Sequence, residues 1–319
     1  MKKKIFLFVV LICTIILTGC GKKEESPKPE ESKTEPAIMW EVTSKNGGKL
    51  YLVGSIHVGK EDMYPLNPAL TNAFNKSDAL VVEVDIVEYE NDYSMALESV
   101  KTMLYLDGTT IKDHISEDLY KKLEKRLETF QMPGYTNEQL YLFKPFALSM
   151  LLDETSYDSW GVDPDLGIDG HFLKLAKEKN MPIIEIETAI FQLKLFDGSP
   201  IEFQELLLES SLMDDNDENG KLTNEMIKLW NKGDSAAFEK LLKDIDTLAM
   251  VLMTEKDRKL YEEFNKKLLD ERNVGMVKKA EELLKNKKTY FYVVGTAHMF
   301  GDTGIVKQLE SKGYTVTKK

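Results

Sequence analysis

Two short stretches of the chain carry the same chemistry-bearing pattern. Residues 50–59 read Leu-Tyr-Leu-Val-Gly-Ser-Ile-His-Val-Gly, and residues 291–301 read Phe-Tyr-Val-Val-Gly-Thr-Ala-His-Met-Phe-Gly. Each is an apolar, β-branched and aromatic run that ends in Gly-x-x-His. The chain holds only 4 histidines, and two of them, His57 and His298, occupy equivalent places in this repeat. Two neutral imidazoles with a carboxylate make a common site for a divalent metal, with positions left open for water. The carboxylate candidates lie in two further apolar runs. Glu83 falls in Leu80-Val81-Val82-Glu83-Val84-Asp85, and Glu185 and Glu187 alternate with isoleucines in 182–188. A charge in such a run is costly unless it is paired or ligating. The ordinary alternative for each glutamate is a strand with one wet face. His114, in a polar stretch, and His171, after Gly170, are weaker candidates, the latter for a capping or supporting role.

The elements that must position these groups follow from local pattern. The runs before each Gly-x-x-His predict buried strands, and Gly54 and Gly295 are expected to let the backbone turn sharply there. Each motif is followed by a helical stretch, 68–75 and 304–311, and then by a further strand, 79–84 and 314–317. A strand–GxxH–helix–strand unit thus occurs twice, with both histidines expected beyond the carboxyl ends of strands, where ligands of α/β sheets sit. The expectation is an α/β (mixed α+β) fold: a central sheet with the duplicated unit and a large helical insertion. Within that insertion, Leu119, Leu123 and Leu127 recur at helical spacing. Ser199-Pro200-Ile201-Glu202 reads as a capping box with proline at the first helical position. Asp234 and Thr254 read as caps, and Gly275 as a break in a long helix. The acidic run 214–218 lacks the spacing of a calcium loop and reads as a solvated segment. Arg272-Asn273 lies on the long helix, where either a surface ion pair or a cleft-facing group is open.

The chain's 319 residues include 54 acidic and 42 basic ones, for a net charge of −12, and 42% are hydrophobic. That supports a real core and argues against nucleic acid as a partner, since phosphate binding needs concentrated positive charge. The 2 cysteines, Cys13 and Cys20, both fall in the first 20 residues, so the remainder has no thiolate metal site. Lys2, Lys3 and Lys4 precede an apolar run over 5–17, which is short for a spanning helix and has the form of a secretory signal peptide. Leu17-Thr18-Gly19-Cys20 is similar to a bacterial lipobox. The expected organisation is therefore a signal peptide over 1–19, a lipidated Cys20 with a disordered tether over 20–37, and a folded domain over 38–319. The tether, GKKEESPKPEESKTEPA, has no large apolar side chain to order it. The expected location is the outer face of a bacterial cell membrane, held by the lipid.

Taken in order, the pieces resemble the TraB/GumN family, which has the animal Tiki proteases among its relatives. The resemblance rests on Gly54-Ser55-Ile56-His57, Glu83, Gly108-Thr109-Thr110-Ile111 with Leu119-Tyr120, and Lys144-Pro145. It continues through Gly167-Ile168-Asp169, Glu187-Thr188 with Gln192, Arg272-Asn273 with Met276, and Gly295-Thr296-Ala297-His298 with Gly313-Tyr314. It runs from about residue 39 to 317. It implies a fold like that of the erythromycin-esterase and haem-binding-lipoprotein superfamily, and a metal-dependent hydrolase centred on the paired histidines and an acidic residue. It also makes Arg272 a site residue. The leading expectation is a lipid-anchored, peptidase-like metallohydrolase acting on a peptide or small molecule. His57, His298 and Glu83 would hold Mn²⁺, Co²⁺ or Zn²⁺, Glu83 or Glu187 would accept the water proton, and Arg272 would steady the developing negative charge. The alternative is a non-enzymatic anchored receptor for a peptide pheromone or haem. A purely structural protein ranks last, because it leaves the repeated motif unexplained. The metal, the substrate and the oligomeric state are left open by the sequence.

Overall fold

The computed structural model describes residues 36–319, apart from 90, 91, 130, 131, 133, 214 and 215. The expected signal peptide, Cys20 and most of the tether lie outside the described residues. So do the first two residues of the acidic run, whose remainder opens the helix Asn216–Asn231. No helix among the described residues is long and apolar enough to cross a membrane.

The architecture is mixed α/β, with one six-stranded sheet among many helices. Its strands are β1 (Met39–Thr43), β2 (Lys49–Ser55), β3 (Ala79–Val82), β4 (Ile183–Glu185), β5 (Thr289–Gly295) and β6 (Thr315–Lys318). They lie in the order β4-β3-β5-β2-β1-β6. The first four in that order are mutually parallel, and β1 is antiparallel to both β2 and β6. The two motif strands, β2 and β5, are buried at every position but the first. That is why they read as continuous apolar runs rather than alternating ones. They are direct neighbours, with Gly54 opposite Val294 and Ser55 opposite Gly295.

The duplicated unit is present, through the helices Pro68–Asn75 and Ile305–Ser311. Its return strands are not equivalent: β3 pairs parallel with β5, whereas β6 pairs antiparallel with β1 at the opposite edge. The repeat therefore places two histidines beside one another without giving two symmetric halves. Strand β3 is also shorter than expected. It ends at Val82, so Glu83 is the first residue beyond it rather than a residue within it.

The helical insertion has a core of its own. Leu119, Leu123 and Leu127 of the helix Glu117–Thr129 pack there with Phe146, Phe196, Phe203 and Phe264, apart from the cluster around the sheet. The Asp234 and Thr254 caps form as expected, accepting from the amides of Ala237 and Asp257. The proposed capping box does not. Pro200 itself is the N-cap of Ile201–Ser211, and the Ser199 hydroxyl donates to the Phe196 carbonyl instead. Nor does Gly275 break its helix, which runs Arg272–Leu284. The irregularity lies just before it, in a π-helical turn over Lys266–Glu271, a feature that re-aims the side chains around it.

Candidate functional site

The carboxyl ends of the four parallel strands share one edge of the sheet, and His57, Glu83, Glu187 and His298 all lie there. His57 follows β2, Glu83 follows β3, Glu187 lies two residues beyond β4, and His298 sits in a single 3₁₀ turn, Thr296–Met299, after β5. The edge is drawn together past the strands as well, where the Glu187 amide donates to the Glu83 carbonyl at 2.9 Å.

Gly54 serves close approach rather than a sharp turn, whereas Gly295 has ordinary contact distances around it. A Cβ on Gly54 would lie 2.8 Å from Thr296 Oγ1 and 2.9 Å from Ile38 Cγ2, closer than real side chains come. A Cβ on Gly295 would sit 3.5 Å from Glu83 Oε1, 3.6 Å from His298 Cδ2 and 3.9 Å from His57 Nε2. One carboxylate oxygen and two imidazole edges thus surround the small space that the missing side chain leaves.

Both imidazoles are held by Nδ1. His57 Nδ1 lies 2.9 Å from Asp169 Oδ2, and Asp169 Oδ1 accepts from the Ser55 hydroxyl at 2.8 Å. His298 Nδ1 lies 2.7 Å from Asn273 Oδ1, and Asn273 Nδ2 donates to the Thr303 carbonyl at 3.0 Å. With the amide oriented that way, Nδ1 of His298 carries the proton and Nε2 a lone pair. A neutral His57 facing a carboxylate does the same. His298 Nε2 is fully buried without a hydrogen-bond partner, 3.8 Å from Glu83 Oε1. Burial first, and the nearby Arg272 charge against the pull of Glu83, push the His298 pKa down to about 3, so its ring is neutral.

Glu83 is the hub of a buried ionic network. Oε1 accepts from the Gly295 amide at 2.7 Å. Oε2 accepts from Gln192 Nε2 at 3.0 Å and from Arg272 Nη2. Burial would raise this carboxyl, but Arg272, the two histidines and the Gly295 amide outweigh it and hold the pKa at about 2. Arg272 is itself buried and also clamps Glu187, with Nε 3.0 and 3.1 Å from its two oxygens and Nη2 at 2.9 Å. Gln192 Nε2 reaches Glu187 Oε2 as well, at 3.1 Å. Burial, and then the neighbouring Glu83 charge, raise the Glu187 pKa against the lowering effect of Arg272. Arg272 Nη1 donates to the Leu268 carbonyl within the π-helical turn, at 3.1 Å. The guanidinium is therefore committed to two carboxylates and a carbonyl.

The other candidates separate cleanly. Glu185 is exposed on its strand and accepts from the Asp85 amide. His114 stacks on Tyr105 and bonds Thr109 Oγ1. His171 packs against Tyr64 and Phe172, and burial lowers its pKa to about 4. The group that supports His57 is Asp169, not His171. Asp169 and Gln192 stand in the sequence motifs, but nothing in their local pattern says that they reach His57 and Glu83, 112 and 109 residues away.

Among the described residues, no three His, Cys, Asp or Glu side chains form a ready-made metal cluster. The residues that could hold an ion between them are His57, His298 and Glu83. Both Nδ1 atoms are engaged by acceptors, the arrangement that orients metal-binding histidines. The orphaned Nε2 of His298 and the carboxylate of Glu83 face the same space.

The chain is 26% identical to Escherichia coli YbaP over 62% of its length and 69% of that protein. It is 25% identical to the metalloprotease TIKI2 of Xenopus tropicalis, over 91% of this chain and 61% of that one. It is 22% identical to human metalloprotease TIKI1, over 97% of this chain and 68% of that one. No solved structure matches. The family described as TraB/PrgY/gumN matches residues 38–318, from before β1 to the end of β6, and the chain belongs to that family.

Proposed function

We propose that the chain is a metal-dependent hydrolase of peptide bonds, with His57, His298 and Glu83 as the metal-holding residues. The observation that carries this reading is the space over Gly295, which Glu83 Oε1, His57 Nε2 and the His298 ring all border. The named metalloprotease activity of the Tiki relatives supports it. A divalent ion there would polarise a scissile carbonyl and acidify a water. Asp169 and Asn273 fix the proton of each histidine on Nδ1 and keep Nε2 directed inward. Glu83, whose pKa its partners hold down at about 2, is suited to binding a cation rather than to accepting a proton. Arg272, Glu187 and Gln192 act as positioning residues that keep the Glu83 carboxylate charged and fixed.

The test is metal analysis of the purified chain together with peptide turnover, with and without a chelator. One divalent ion per chain, and turnover lost with the ion and in His57→Ala, is the expected result. Full turnover by a metal-free chain, or unchanged metal content in His57→Ala, would overturn it. We propose further that a lipid on Cys20 holds the domain at the outer face of the membrane. A Cys20→Ala chain should then leave the membrane fraction or persist as precursor. Finding it processed, unlipidated and still anchored would refute the anchor.

A further inference from the structure

The space beside His57 has a second wall that the chemistry above does not use. Its floor is the site itself, including His57 and Gly295, and its far side is Met226, Phe238 and Leu242. These three come from the helices Asn216–Asn231 and Ser235–Leu252. Met226 and Phe238 are buried and Leu242 is half-buried. No Asp, Glu, Lys or Arg side chain lines the space. The wall is also fixed in place. Trp230, one turn beyond Met226, donates its buried indole N–H to the Gly54 carbonyl at 2.7 Å, tying the first helix to β2.

Gly295 borders both this space and the ring of Glu83, His57 and His298. A substrate whose carbonyl sits over Gly295 must therefore put its neighbouring group against Met226, Phe238 and Leu242. The space is about 20 Å³, little more than one water needs, so only a small group fits. An apolar wall has no partner for a charge brought against it. We propose that Met226, Phe238 and Leu242 are specificity-determining residues, forming a subsite that takes a small uncharged side chain, of alanine size, next to the bond to be cut. The inference rests on the hydrolase reading for its substrate, but its test does not need turnover.

The experiment uses the full chain with ¹³C-labelled methionine methyls, titrated with the amides of N-acetylalanine, N-acetylleucine and N-acetylaspartate while the Met226 resonance is followed. The alanine amide should bind at least tenfold tighter than the other two. In Leu242→Ala, which removes part of the wall, the leucine amide should become the tighter ligand. Leu242→Met, which keeps the volume and leaves the Met226 reporter in place, should keep the original order, and Leu242→Val, a smaller truncation of the same wall, should shift the order toward the leucine amide and serves as the check if Leu242→Ala folds poorly. The same order in the native chain and in Leu242→Ala, equal binding of the aspartate amide, or no response at Met226 would overturn the proposal. A chain that shows this order but hydrolyses nothing would sink the hydrolase reading and leave the subsite. A chain that hydrolyses peptides without the order would do the reverse.

Discussion

Glu83 and Gly295 are joined by a 2.7 Å hydrogen bond from the glycine amide to Oε1, so the carboxylate at the end of β3 is fixed to the end of β5. All of its hydrogen-bond partners are donors, and that decides how the residue responds to change. In Glu83→Gln the new amide nitrogen must face either the Gly295 N–H or the Arg272 and Gln192 donors. Breaking one partner of a buried ion pair costs about 3–5 kcal/mol. Glu83→Gln should therefore lower the melting temperature as well as abolish activity. Glu185→Gln, at an exposed position, should cost under about 1 kcal/mol and leave turnover intact. Parallel melts and assays of the two variants check this. Equal melting temperatures would show that Glu83 is not the hub described.

The histidines should separate in the same way. His298 is fully buried, whereas His57 keeps some exposure. His298→Ala leaves a cavity and an unpaired Asn273 oxygen, at a cost of about 2–5 kcal/mol by the scale of buried large-to-small changes. His57→Ala should cost much less. Both should lose metal binding. Calorimetric titration with Zn²⁺ beside denaturant melts reads both quantities, and retained stoichiometric binding in either variant is the adverse result.

Asp169→Asn keeps the size of the side chain but removes the charge behind His57. Loss of such a supporting carboxylate typically weakens metal affinity by about 10–100-fold. The imidazole ¹⁵N shifts of His57 should also show a mixed tautomer, while those of His298, held by Asn273, stay unchanged. An unaltered His57 spectrum would mean that Asp169 does not set its proton.

A pH effect is expected away from the site. Asp153, in the helix Pro145–Glu154, has its pKa raised by burial to about 7, with the Ser211 hydroxyl lowering it only in part. The folded state thus favours the protonated form. That contribution to stability is complete below the unfolded value near 3.8 and is lost as pH rises through about 7. Asp153→Asn should gain stability over the native chain between pH 4 and 8, the gain growing with pH. A difference that is flat across this range would contradict the assignment.

The parts of the site that the sequence revealed are those with a local signature. Gly-x-x-His after an apolar run, and Glu83 and Glu187 among aliphatic residues, are anomalies that need no partner to be noticed. What stayed hidden was relational. By its local pattern Arg272 is either an ion-pairing helix charge or a cleft-facing group, and only the family resemblance marks it as a site residue, because the π-helical turn before it and the two carboxylates around it are what bury it. Gly54 reads as a turn former, because the atoms that forbid a Cβ there belong to Ile38, beside the start of β1, and to Thr296, far along the chain after β5. The return strands 79–84 and 314–317 were both legible, but their unlike placement was not. Pairing partners are set by the whole sheet rather than by either strand.

The pairing of β2 with β5 joins residues some 240 positions apart in the chain. Contacts of such long sequence separation form slowly, since a large loop must close before they repay its entropy. The helical insertion carries its own apolar cluster and can consolidate from nearer neighbours while the middle of the sheet still lacks β5. During synthesis the bulk of the polypeptide can therefore collapse before His298 has been made. The sheet edge that carries the site is therefore completed only when β5 joins β2 and β3.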